Sequence, residues 1–297
     1  MPELPEVETV LRGLEPVLAG RLLARVENRR ADLRFALPDN FAERLTGTTV
    51  VSLSRRAKYL IAELSSGETL VMHLGMTGRF TVSKTIETSG LSEMIGIYDR
   101  DTGVHGKHDH IVFHTGNGHI VTYNDPRRFG FMLLVKSADL DAHPMFAGMG
   151  AEPLGQSFDA VYLAARARGK KVNLKSLLMD QRVVAGLGNI YVCEALYCAA
   201  LSPLRAAKSL CARNGQAHAR SEKLVATVKL VLRDAIKAGG STLRDYRHAD
   251  GGSGLYQKTF RAYDRAGEPC LRPGCNGVVK RIVQTGRSTF YCPKCQK

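Results

Sequence analysis

Four cysteines near the carboxyl end constrain this 297-residue chain more than any other feature of its sequence. They follow the pattern Cys270-x4-Cys275-x16-Cys292-x2-Cys295. Two close pairs separated by a spacer of hairpin length can deliver four thiolates to one tetrahedral zinc ion, and metal binding then supplies most of the ordering free energy of so small a segment. The spacer VVKRIVQTGRSTF alternates well enough for two strands with a turn near 285–287. The spacing therefore predicts a zinc-bound β-hairpin rather than four unrelated thiols.

Basic residues crowd the same segment. Arg287 would be held out rigidly at the predicted turn, and four more cations surround it: Arg272, Lys280, Arg281 and Lys294. A guanidinium in a fixed position suits the recognition of phosphate groups. Many zinc ribbons do no more than bind nucleic acid, so this module alone leaves a pure binding protein open.

The three remaining cysteines, Cys193, Cys198 and Cys211, are scattered through a segment of helical periodicity. An odd total of seven argues against a disulfide framework, so we expect these three to be small buried hydrophobic residues. No apolar run approaches the roughly 18 residues that span a membrane. The first residues are acidic, unlike the basic start of a secretory signal. We expect a cytoplasmic protein without membrane association.

The positive charge is unevenly distributed along the chain. The formal net charge is +14, from 42 Lys and Arg against 28 Asp and Glu. Residues 1–140 hold 17 of each sign, so residues 141–297, with 25 basic and 11 acidic, carry the whole excess. Solubility alone could explain a basic protein. A surface for nucleic acid or another polyanion, weighted toward the carboxyl half, explains the asymmetry better.

Two kinds of periodicity divide the chain. An amphipathic helix over 5–18 is followed by alternating apolar and polar residues, which predict antiparallel strands, and TGNGH at 115–119 is a hairpin signal. Helical periodicity dominates from 158 to 238 and ends at AGG. The expected fold class is therefore α+β in two lobes. An amino-terminal helix and an antiparallel β-sandwich or barrel form the first lobe, and helices form the second.

These boundaries predict three domains. They are 1–147 for the helix and sandwich, 148–262 for the helical lobe and 263–297 for the zinc hairpin. More than one domain is also expected from the length, because single hydrophobic cores rarely grow beyond this size. Residues 83–106 show weak periodicity and several turn residues, and we expect a long surface excursion with at most a short hairpin there.

The chain opens MPELPEVETV, with Pro2 after methionine and glutamates at positions 3, 6 and 8. Pro5 and an acidic first turn suit the start of a helix, because acidic side chains there complement the helix dipole. The alternative is that the amino terminus itself does chemistry. Position alone leaves both explanations open.

A helix, a glycine turn and a second helix are predicted in LLMDQRVVAGLGNIYVCEALY, 177–197. The turn ends at Gly188, and the new helix begins near Asn189. Glycines let backbone amides and the Asn189 side chain approach a phosphate closely, and Lys171 lies just upstream. Two helices packed together without any ligand would show the same pattern.

Five residues of the first half carry weaker signals: Lys58 in RRAKYL, Met76 in HLGM, His108 in KHDH, and Arg127 and Phe129 in DPRRFG. An exposed aromatic ring beside arginines can wedge into a base stack. Each residue also has a structural explanation: a lysine on an exposed strand face, a methionine that fills the core, a hydrogen-bonded histidine, or a buried phenylalanine beside solvated arginines. Taken singly, each favours the structural explanation.

Taken together, these motifs closely resemble bacterial formamidopyrimidine-DNA glycosylase, a family that excises oxidised purines such as 8-oxoguanine. The resemblance runs from PELPEVET through RRAKYL, HLGM, KHDH, DPRRFG and MDQ…GLGNIY to GRSTFYCPKCQ. It implies a β-sandwich lobe, a helical lobe with a helix–two-turn–helix motif, and a zinc hairpin with one structural zinc ion. The implied enzyme is a bifunctional glycosylase and abasic-site lyase that acts on double-stranded DNA containing a damaged base. We expect a monomer, since the sequence shows no separate association surface.

The resemblance also implies catalytic roles. Pro2, once the methionine is removed, would be the nucleophile at C1′ of the damaged nucleotide. Glu3 would assist opening of the sugar ring, with Glu6 as a supporting carboxylate. Lys58 would be the general acid for β-elimination, and Arg287 would serve δ-elimination and phosphate binding.

The resemblance implies DNA contacts for six residues: Met76, His108, Arg127, Phe129, Lys171 and Asn189. Three of them, Met76, Arg127 and Phe129, would fill the gap that the damaged nucleotide leaves. The nucleotide must leave the stack because its reacting atoms are inaccessible inside the duplex. The zinc ligands are Cys270, Cys275, Cys292 and Cys295, as the spacing already predicts.

The chain departs from the family pattern in two places. Four residues separate Cys270 from Cys275, where members of the family commonly have two, and the stretch before KHDH is longer than in compact members. Two alternatives remain for the function. One is an endonuclease VIII-type enzyme for oxidised pyrimidines, against which PELPEV and the Met76, Arg127 and Phe129 set argue. The other is a non-catalytic zinc-ribbon protein, against which Pro2 and Lys58 argue.

Overall fold

The chain forms two compact units. The computed structural model describes residues 2–88, 91–94, 106–212, 214–242 and 254–297. The first unit comprises Met1–Ala147 and Ala238–Leu255, and the second comprises Gly148–Lys237 and Tyr256–Lys297. The chain thus leaves the first unit, builds most of the second, and returns to the first before it completes the second. The division into three domains over 1–147, 148–262 and 263–297 stays a prediction.

Helix α1 (Leu4–Leu18) opens the first unit. Its apolar residues recur at helical spacing, so that Val7, Val10 and Leu14 are buried on one face. Pro5 lies in the first turn, where a missing N–H group costs no helical hydrogen bond. The helix predicted over 5–18 is confirmed.

Strands build the rest of the first unit. Within the described residues they are β1 (Arg21–Asn28), β2 (Thr49–Arg56), β3 (Tyr59–Leu64), β4 (Glu68–His73), β5 (Arg79–Thr88), β6 (Leu91–Met94), β7 (Asp109–Thr115), β8 (His119–Asn124) and β9 (Phe131–Lys136). A short helix, α2 (Phe41–Leu45), lies between β1 and β2, and a single 3-10 turn, Ser137–Asp139, follows β9. All strand pairs are antiparallel, in the order β6-β5-β8-β7-β1-β2-β3-β4-β9.

Strand β1 belongs to two sheets. Arg21 and Leu22 pair with β2, whereas residues from Leu23 onward pair with β7. One sheet therefore contains β1, β2, β3, β4 and β9, and the other contains β1, β7, β8, β5 and β6. A strand that passes from one sheet to the next turns a corner of a sandwich. The predicted α+β class with an antiparallel sandwich is confirmed.

A single apolar core joins α1 to both sheets. It contains Leu14 of α1, Leu60 and Met72 of one sheet, and Phe80 and Phe113 of the other, all at most 2% exposed. Each fully buried side chain of this size contributes about 1.5–3 kcal/mol relative to exposure. The amino end of α1 is thereby fixed on the same core that supports both sheets.

Two loops cross between the sheets side by side. Strand β4 pairs with β9 in one sheet, and β5 pairs with β8 in the other. The chain passes from β4 to β5 through residues 74–78 and from β8 to β9 through residues 125–130. His73, just before the first loop, pairs with Phe131, just after the second, and Arg79, just after the first loop, pairs with Asn124, just before the second. The two loops must therefore run next to each other.

Helices form most of the second unit, as predicted for 158–238. They are α3 (Ala160–Ala167), α4 (Leu174–Met179), α5 (Asn189–Ala199) and α6 (Ala219–Lys237), with 3-10 turns at Ala207–Leu210 and Tyr256–Thr259. Side chains cap α3 and α4, because Asp159 accepts the Tyr162 N–H (2.7 Å) and Asn173 accepts the Ser176 N–H (2.8 Å). The zinc-hairpin segment folds as β10 (Lys280–Gln284) and β11 (Arg287–Tyr291), whose turn residues Thr285 and Gly286 both have positive φ.

A buried carboxylate anchors the segment that follows the last 3-10 turn. Glu194 on α5 is 1% exposed and accepts the backbone N–H groups of Arg261, Ala262 and Tyr263 at 2.7–2.9 Å. Burial raises the pKa of Glu194, and the three backbone hydrogen bonds oppose that rise. The segment that leads to the cysteine module is therefore fixed to the buried helix α5.

The excursion expected at 83–106 is described only in part. Strand β6 pairs with the last residues of β5, from Thr85 opposite Met94 to Thr88 opposite Leu91, which is the short hairpin. Residues 89–90 and 95–105 lie outside the described residues, so whether the excursion lies on the surface stays a prediction. No helix in the described part of the chain combines the length and apolar character needed to cross a bilayer.

Two glycines with positive φ allow a matched test of the loop packing. Gly75 (φ +61°) leaves no room for a side chain, since an added Cβ would lie 2.2 Å from the backbone carbon of Phe129, whereas Gly67 (φ +80°) has nothing within 4 Å. Gly67→Ala is expected to lower the free energy of unfolding by about 1–2 kcal/mol through its φ alone. Gly75→Ala should lose a further 1–3 kcal/mol or so through overpacking. Urea unfolding followed by circular dichroism measures both, and equal losses would contradict the close approach of the two loops.

Candidate active site and metal centre

Residue 2 lies at the buried start of α1. Pro2 is buried, and Glu3, the residue that caps the helix, is 5% exposed. Glu6, one turn further on, is 2% exposed, and its Oε2 accepts the Glu3 N–H at 2.8 Å. This is the acidic arm of a capping box, which fixes the direction in which the chain enters the helix.

The second oxygen of Glu6 holds a distant segment of the same unit. Its Oε1 accepts the Ser241 N–H at 2.7 Å. Gly240, with φ +77°, packs so tightly here that an added Cβ would lie 2.8 Å from the same oxygen. One buried carboxylate therefore joins the amino end of α1 to the stretch where the chain returns to the first unit.

Lys58 lies in the turn between β2 and β3 and is 8% exposed. The expectation of a lysine on an exposed strand face is therefore wrong. Ala57 adopts a positive φ of 54° and closes the hairpin, so Lys58 lies in a turn and not within a strand. A buried lysine at a turn is unusual, since desolvation disfavours the charged form unless other groups compensate it.

Arg55 ties the Lys58 turn to α1. Its Nε donates to Oε2 of Glu8 on α1 at 2.9 Å, and its Nη1 donates to the Ala57 carbonyl at 3.0 Å. The side chains of Arg55 and Glu8 are only 9% and 17% exposed, so the ion pair is screened little by solvent. Arg55 thus links α1, which directly follows Pro2 and Glu3, to the turn that contains Lys58.

His73, the first residue of the HLGM motif, is buried in a way that the sequence alone does not predict. It lies opposite Tyr59 in the β3–β4 pair, and Tyr59 directly follows Lys58 in the chain. The His73 ring stacks on Phe131 with ring centroids 5.1 Å apart. Burial, then the charges of Lys58 and Arg34, lower the pKa of His73 to about 4. Its Nδ1 accepts the Gly75 N–H at 3.0 Å, so the neutral ring carries its proton on Nε2.

Met76, Arg127 and Phe129 all lie on the two crossing loops. Met76 is 39% exposed and Phe129 is 41% exposed, so neither fills the core. The Arg127 guanidinium covers the Phe129 ring at 4.6 Å from its centroid, a cation–π contact that keeps the exposed ring oriented. The loops therefore present two apolar side chains and one cation together at one edge of the sandwich.

The two histidines of KHDH differ in their surroundings. His110 is 4% exposed, and its Nε2 lies 2.9 Å from the carbonyl oxygen of Asp125, so it supports the β8–β9 loop. His108 is half-buried, and its carbonyl accepts the Asp125 N–H at 3.0 Å. The DNA contact of His108 stays a prediction, whereas His110 has a structural role.

In the second unit, the turn of the cysteine hairpin is fixed to two helices. Asn189, the first residue of α5, donates from Nδ2 to the Ser288 carbonyl at 3.0 Å. Lys175 on α4 is fully buried, and its Nζ donates to the same carbonyl at 3.0 Å and to Thr289 Oγ1 at 2.6 Å. Arg287, next to this anchored carbonyl, is exposed, and so is Lys171 just before α4.

The four carboxyl-terminal cysteines form one cluster. Their sulfur atoms all lie within 4.8 Å of one another. Cys270 Sγ lies 3.7 Å from Cys295 Sγ, and Cys275 Sγ lies 3.7 Å from Cys292 Sγ. Zn–S bonds of about 2.3 Å in a tetrahedron place sulfur atoms about 3.8 Å apart. The donor set and its geometry fit one structural zinc ion, and the four-residue spacing of the first pair does not prevent it.

Three family models match the chain in succession. The formamidopyrimidine-DNA glycosylase N-terminal domain matches residues 1–132, the H2TH domain of the same family matches 149–247, and the zinc finger found in FPG and IleRS matches 267–297. The last match covers the cysteine cluster, so the chain has a site for one structural zinc ion, as predicted.

Relatives match along the whole chain. Formamidopyrimidine-DNA glycosylase of Rhodopseudomonas palustris (strain BisB18) is 56% identical over 297 residues, with 100% of both chains covered. The crystal structure of the MutM (FPG) protein from Thermus thermophilus is 34% identical with a TM-score of 0.79, covering 99% of this chain and 98% of that one. A mutant of Lactococcus lactis FPG, in complex with DNA containing Fapy-dG, is 31% identical with a TM-score of 0.82, and 100% of both chains is covered.

The lowered pKa of His73 predicts a loss of stability in acid. The unfolded chain binds a proton near pH 6.5, whereas the folded protein does so only near pH 4, so the free energy of unfolding falls as the pH drops through this window. The loss amounts to about 3 kcal/mol at the lower end. His73→Asn, which keeps an acceptor for the Gly75 N–H, should flatten the pH profile of urea unfolding between pH 6.5 and 4. Parallel profiles for the two proteins would contradict the buried neutral histidine.

Zinc removal is expected to weaken DNA binding without unfolding the first unit. Cys292→Ser, or a chelator, removes the ion that orders the cysteine end of the hairpin, and duplex affinity should fall by about tenfold or more because the hairpin that carries Arg287 then loses one of its two supports. The measurements are zinc content, the duplex dissociation constant, and the thermal transition of the first unit. Cys211→Ser, outside the cluster, is the matched control and should change none of them. Full duplex affinity in a zinc-free protein would argue against the role of the hairpin.

Proposed function

Because the chain belongs to the formamidopyrimidine-DNA glycosylase family, we propose that it excises oxidised purines, such as 8-oxoguanine and formamidopyrimidines, from duplex DNA and then cleaves the strand at the abasic site. The observation that carries this proposal is the Pro2–Glu3 pair at the buried, capped start of α1. This pair directly precedes α1, and Arg55 joins α1 to the Lys58 turn. A protein that only bound DNA would have no use for an amine and a buried lysine held on one support.

Pro2 is the proposed nucleophile, once Met1 has been removed. An α-amine has a reference pKa near 8, well below that of a lysine, so an appreciable fraction is neutral at pH 7. Its lone pair forms the N–C1′ bond as the C1′–N bond to the damaged base breaks, and the base leaves with the electron pair. Breakage of C1′–O4′ and loss of the amine proton then give an iminium ion.

Glu3 and Lys58 are the proposed proton carriers. Glu3 donates a proton to O4′ as the sugar ring opens, and Glu6 holds Glu3 in place through the Glu3 N–H. Lys58 serves the β-elimination that follows, in which the 3′ phosphate leaves. Arg287 serves the second elimination and binds phosphate from the rigid turn of the zinc hairpin. Zinc, when bound, supplies no chemistry beyond holding that hairpin.

Both units contribute to the proposed DNA contacts. Met76, Arg127 and Phe129 fill the gap once the damaged nucleotide is extruded, which the reaction requires because C1′ is inaccessible inside the stack. The other proposed contacts are His108, Lys171 and Asn189. The positive excess of residues 141–297 binds the phosphate backbone. We place the protein in the cytoplasm, as a monomer.

Borohydride trapping tests the proposed reaction. Reduction during turnover should leave a covalent adduct at Pro2, strongest with a duplex that carries 8-oxoguanine opposite cytosine, and weaker with an oxidised pyrimidine. Preference for the pyrimidine duplex would favour the endonuclease VIII-type alternative. Tight binding without an adduct on any substrate, including an abasic duplex, would leave only the non-catalytic alternative.

Pro2→Gly tests the nucleophile separately from binding. Most base excision should be lost, because a primary amine on a flexible residue replaces the buried secondary amine, whereas the duplex dissociation constant should change little. Excision rates from single-turnover assays and dissociation constants from fluorescence anisotropy measure the two effects. Unchanged excision would show that the nucleophile lies elsewhere.

A further inference from the structure

Asp125 is a buried carboxylate that the proposed chemistry does not use. It is 0% exposed and lies at the end of β8, at the beginning of the loop over 125–130. Its Oδ1 accepts the Thr77 hydroxyl at 2.5 Å, and its Oδ2 accepts the Gly130 N–H at 2.8 Å and the Tyr123 hydroxyl at 3.2 Å. Thr77 and Gly130 lie on the two crossing loops, one on each, and Tyr123 lies on β8, just before the second loop. One side chain therefore joins both crossings between the sheets.

Each of the three wedge residues, Met76, Arg127 and Phe129, is attached directly to this carboxylate network. Met76 precedes Thr77 in the chain, and Phe129 precedes Gly130. The backbone N–H of Arg127 donates to the Thr77 hydroxyl at 3.3 Å. Through Thr77 and Gly130, the hydrogen bonds of one carboxylate therefore constrain the backbone beside every wedge residue.

The backbone of Asp125 is held as well. Its N–H donates to the His108 carbonyl at 3.0 Å, and its own carbonyl lies 2.9 Å from His110 Nε2. The carboxylate is thus fixed at both its backbone and its side chain.

Close backbone packing prevents the loops from sliding past each other. An added Cβ on Gly130 would lie 1.8 Å from the Tyr123 hydroxyl, and one on Gly78 would lie 2.4 Å from the same oxygen. Gly75 approaches the backbone of Phe129 just as tightly. A buried carboxylate surrounded by donors in so tight a space has one arrangement only, because any shift leaves the charge without its hydrogen bonds.

We propose that Asp125 is a positioning residue, which holds Met76, Arg127 and Phe129 as one rigid wedge before DNA is bound. The inference rests on the proposed function, because the wedge matters only if a nucleotide is extruded. A preassembled wedge enters the base stack without first ordering two loops, so the entropy of ordering is not lost at the extrusion step. Asp125 itself touches no reacting atom.

Asp125→Asn tests the proposal by comparing two substrates. The variant is nearly isosteric, but its amide end donates and cannot accept from Thr77 and Gly130 together. With a duplex that contains 8-oxoguanine, kcat/KM should fall by about ten- to a hundredfold, the size of effect expected from a misplacement of about 1 Å. With a single-stranded abasic oligonucleotide, which needs no wedge, borohydride trapping should stay near the rate of the unmodified protein.

A direct readout of wedge insertion accompanies the rates. A 2-aminopurine base beside the lesion reports unstacking by its fluorescence. After rapid mixing with the duplex, the amplitude of the early fluorescence rise should be smaller for Asp125→Asn than for the unmodified protein. The matched control is Asp109→Asn, since Asp109 accepts the Gly106 N–H and the Asn124 side chain at 2.8 Å in the same unit. The control should show neither change.

Two further variants keep the proposal testable even if Asp125→Asn folds poorly. Thr77→Val and Tyr123→Phe each remove one hydroxyl donor to the carboxylate and leave the charge in place. Each should reproduce the split between the two substrates more weakly than Asp125→Asn does.

Three outcomes would overturn the positioning role: full activity of Asp125→Asn on the 8-oxoguanine duplex, an equal loss on both substrates, or an equal substrate split in Asp109→Asn. Failure of the proposed function would be seen differently. In that case the unmodified protein would give no adduct on any substrate, whatever the variants do.

Discussion

The position of residue 2 depends on the hydrogen bonds of one buried carboxylate. Glu6 accepts one N–H group from the start of α1 and another from Ser241, 235 residues further along the chain. A buried carboxylate that lost either donor would be destabilised by several kcal/mol, so neither segment can move away cheaply. The proposed amine nucleophile therefore needs no loop of its own to place it. The amine would lie just before a helix whose apolar face packs into the core shared by both sheets.

Features set by neighbours in the chain could be predicted from the sequence, and those set by distant neighbours could not. The zinc site follows from the spacing of four cysteines, and α1 follows from its apolar period and Pro5. In contrast, the burial of Lys58 depends on a hairpin turn whose anchor, Arg55, pairs with Glu8, 47 residues away. The low pKa of His73 could not be predicted for the same reason, since it arises from burial by strands that HLGM itself does not contain. The catalytic and DNA-contacting roles rest on the family resemblance, and the structure supplies the supports on which those residues lie.

In the second unit a buried cation, rather than a buried carboxylate, holds two segments of the chain together. The ammonium of Lys175 is fully buried on α4, and it donates to two neutral oxygens of the hairpin strand that carries Arg287. Asn189 donates to the Ser288 carbonyl, one of those two oxygens, from the start of α5. Zinc thus fixes one end of the hairpin, and two helices fix the other. A short hairpin that is held at both ends can keep an exposed guanidinium in one place without any support from the guanidinium itself.

The pairing of the two crossing loops has a mechanical consequence. A DNA duplex resists the insertion of side chains between its base pairs, so the proposed wedge would bear a force directed back into the protein. Met76 and Phe129 lie where β4 and β9 of one sheet continue as β5 and β8 of the other. The load therefore passes along four antiparallel strands into both sheets, and from there to β1, which the sheets share. A loop without paired strands at its ends would yield more easily under such a load than these two loops, whose ends are hydrogen-bonded to each other in both sheets.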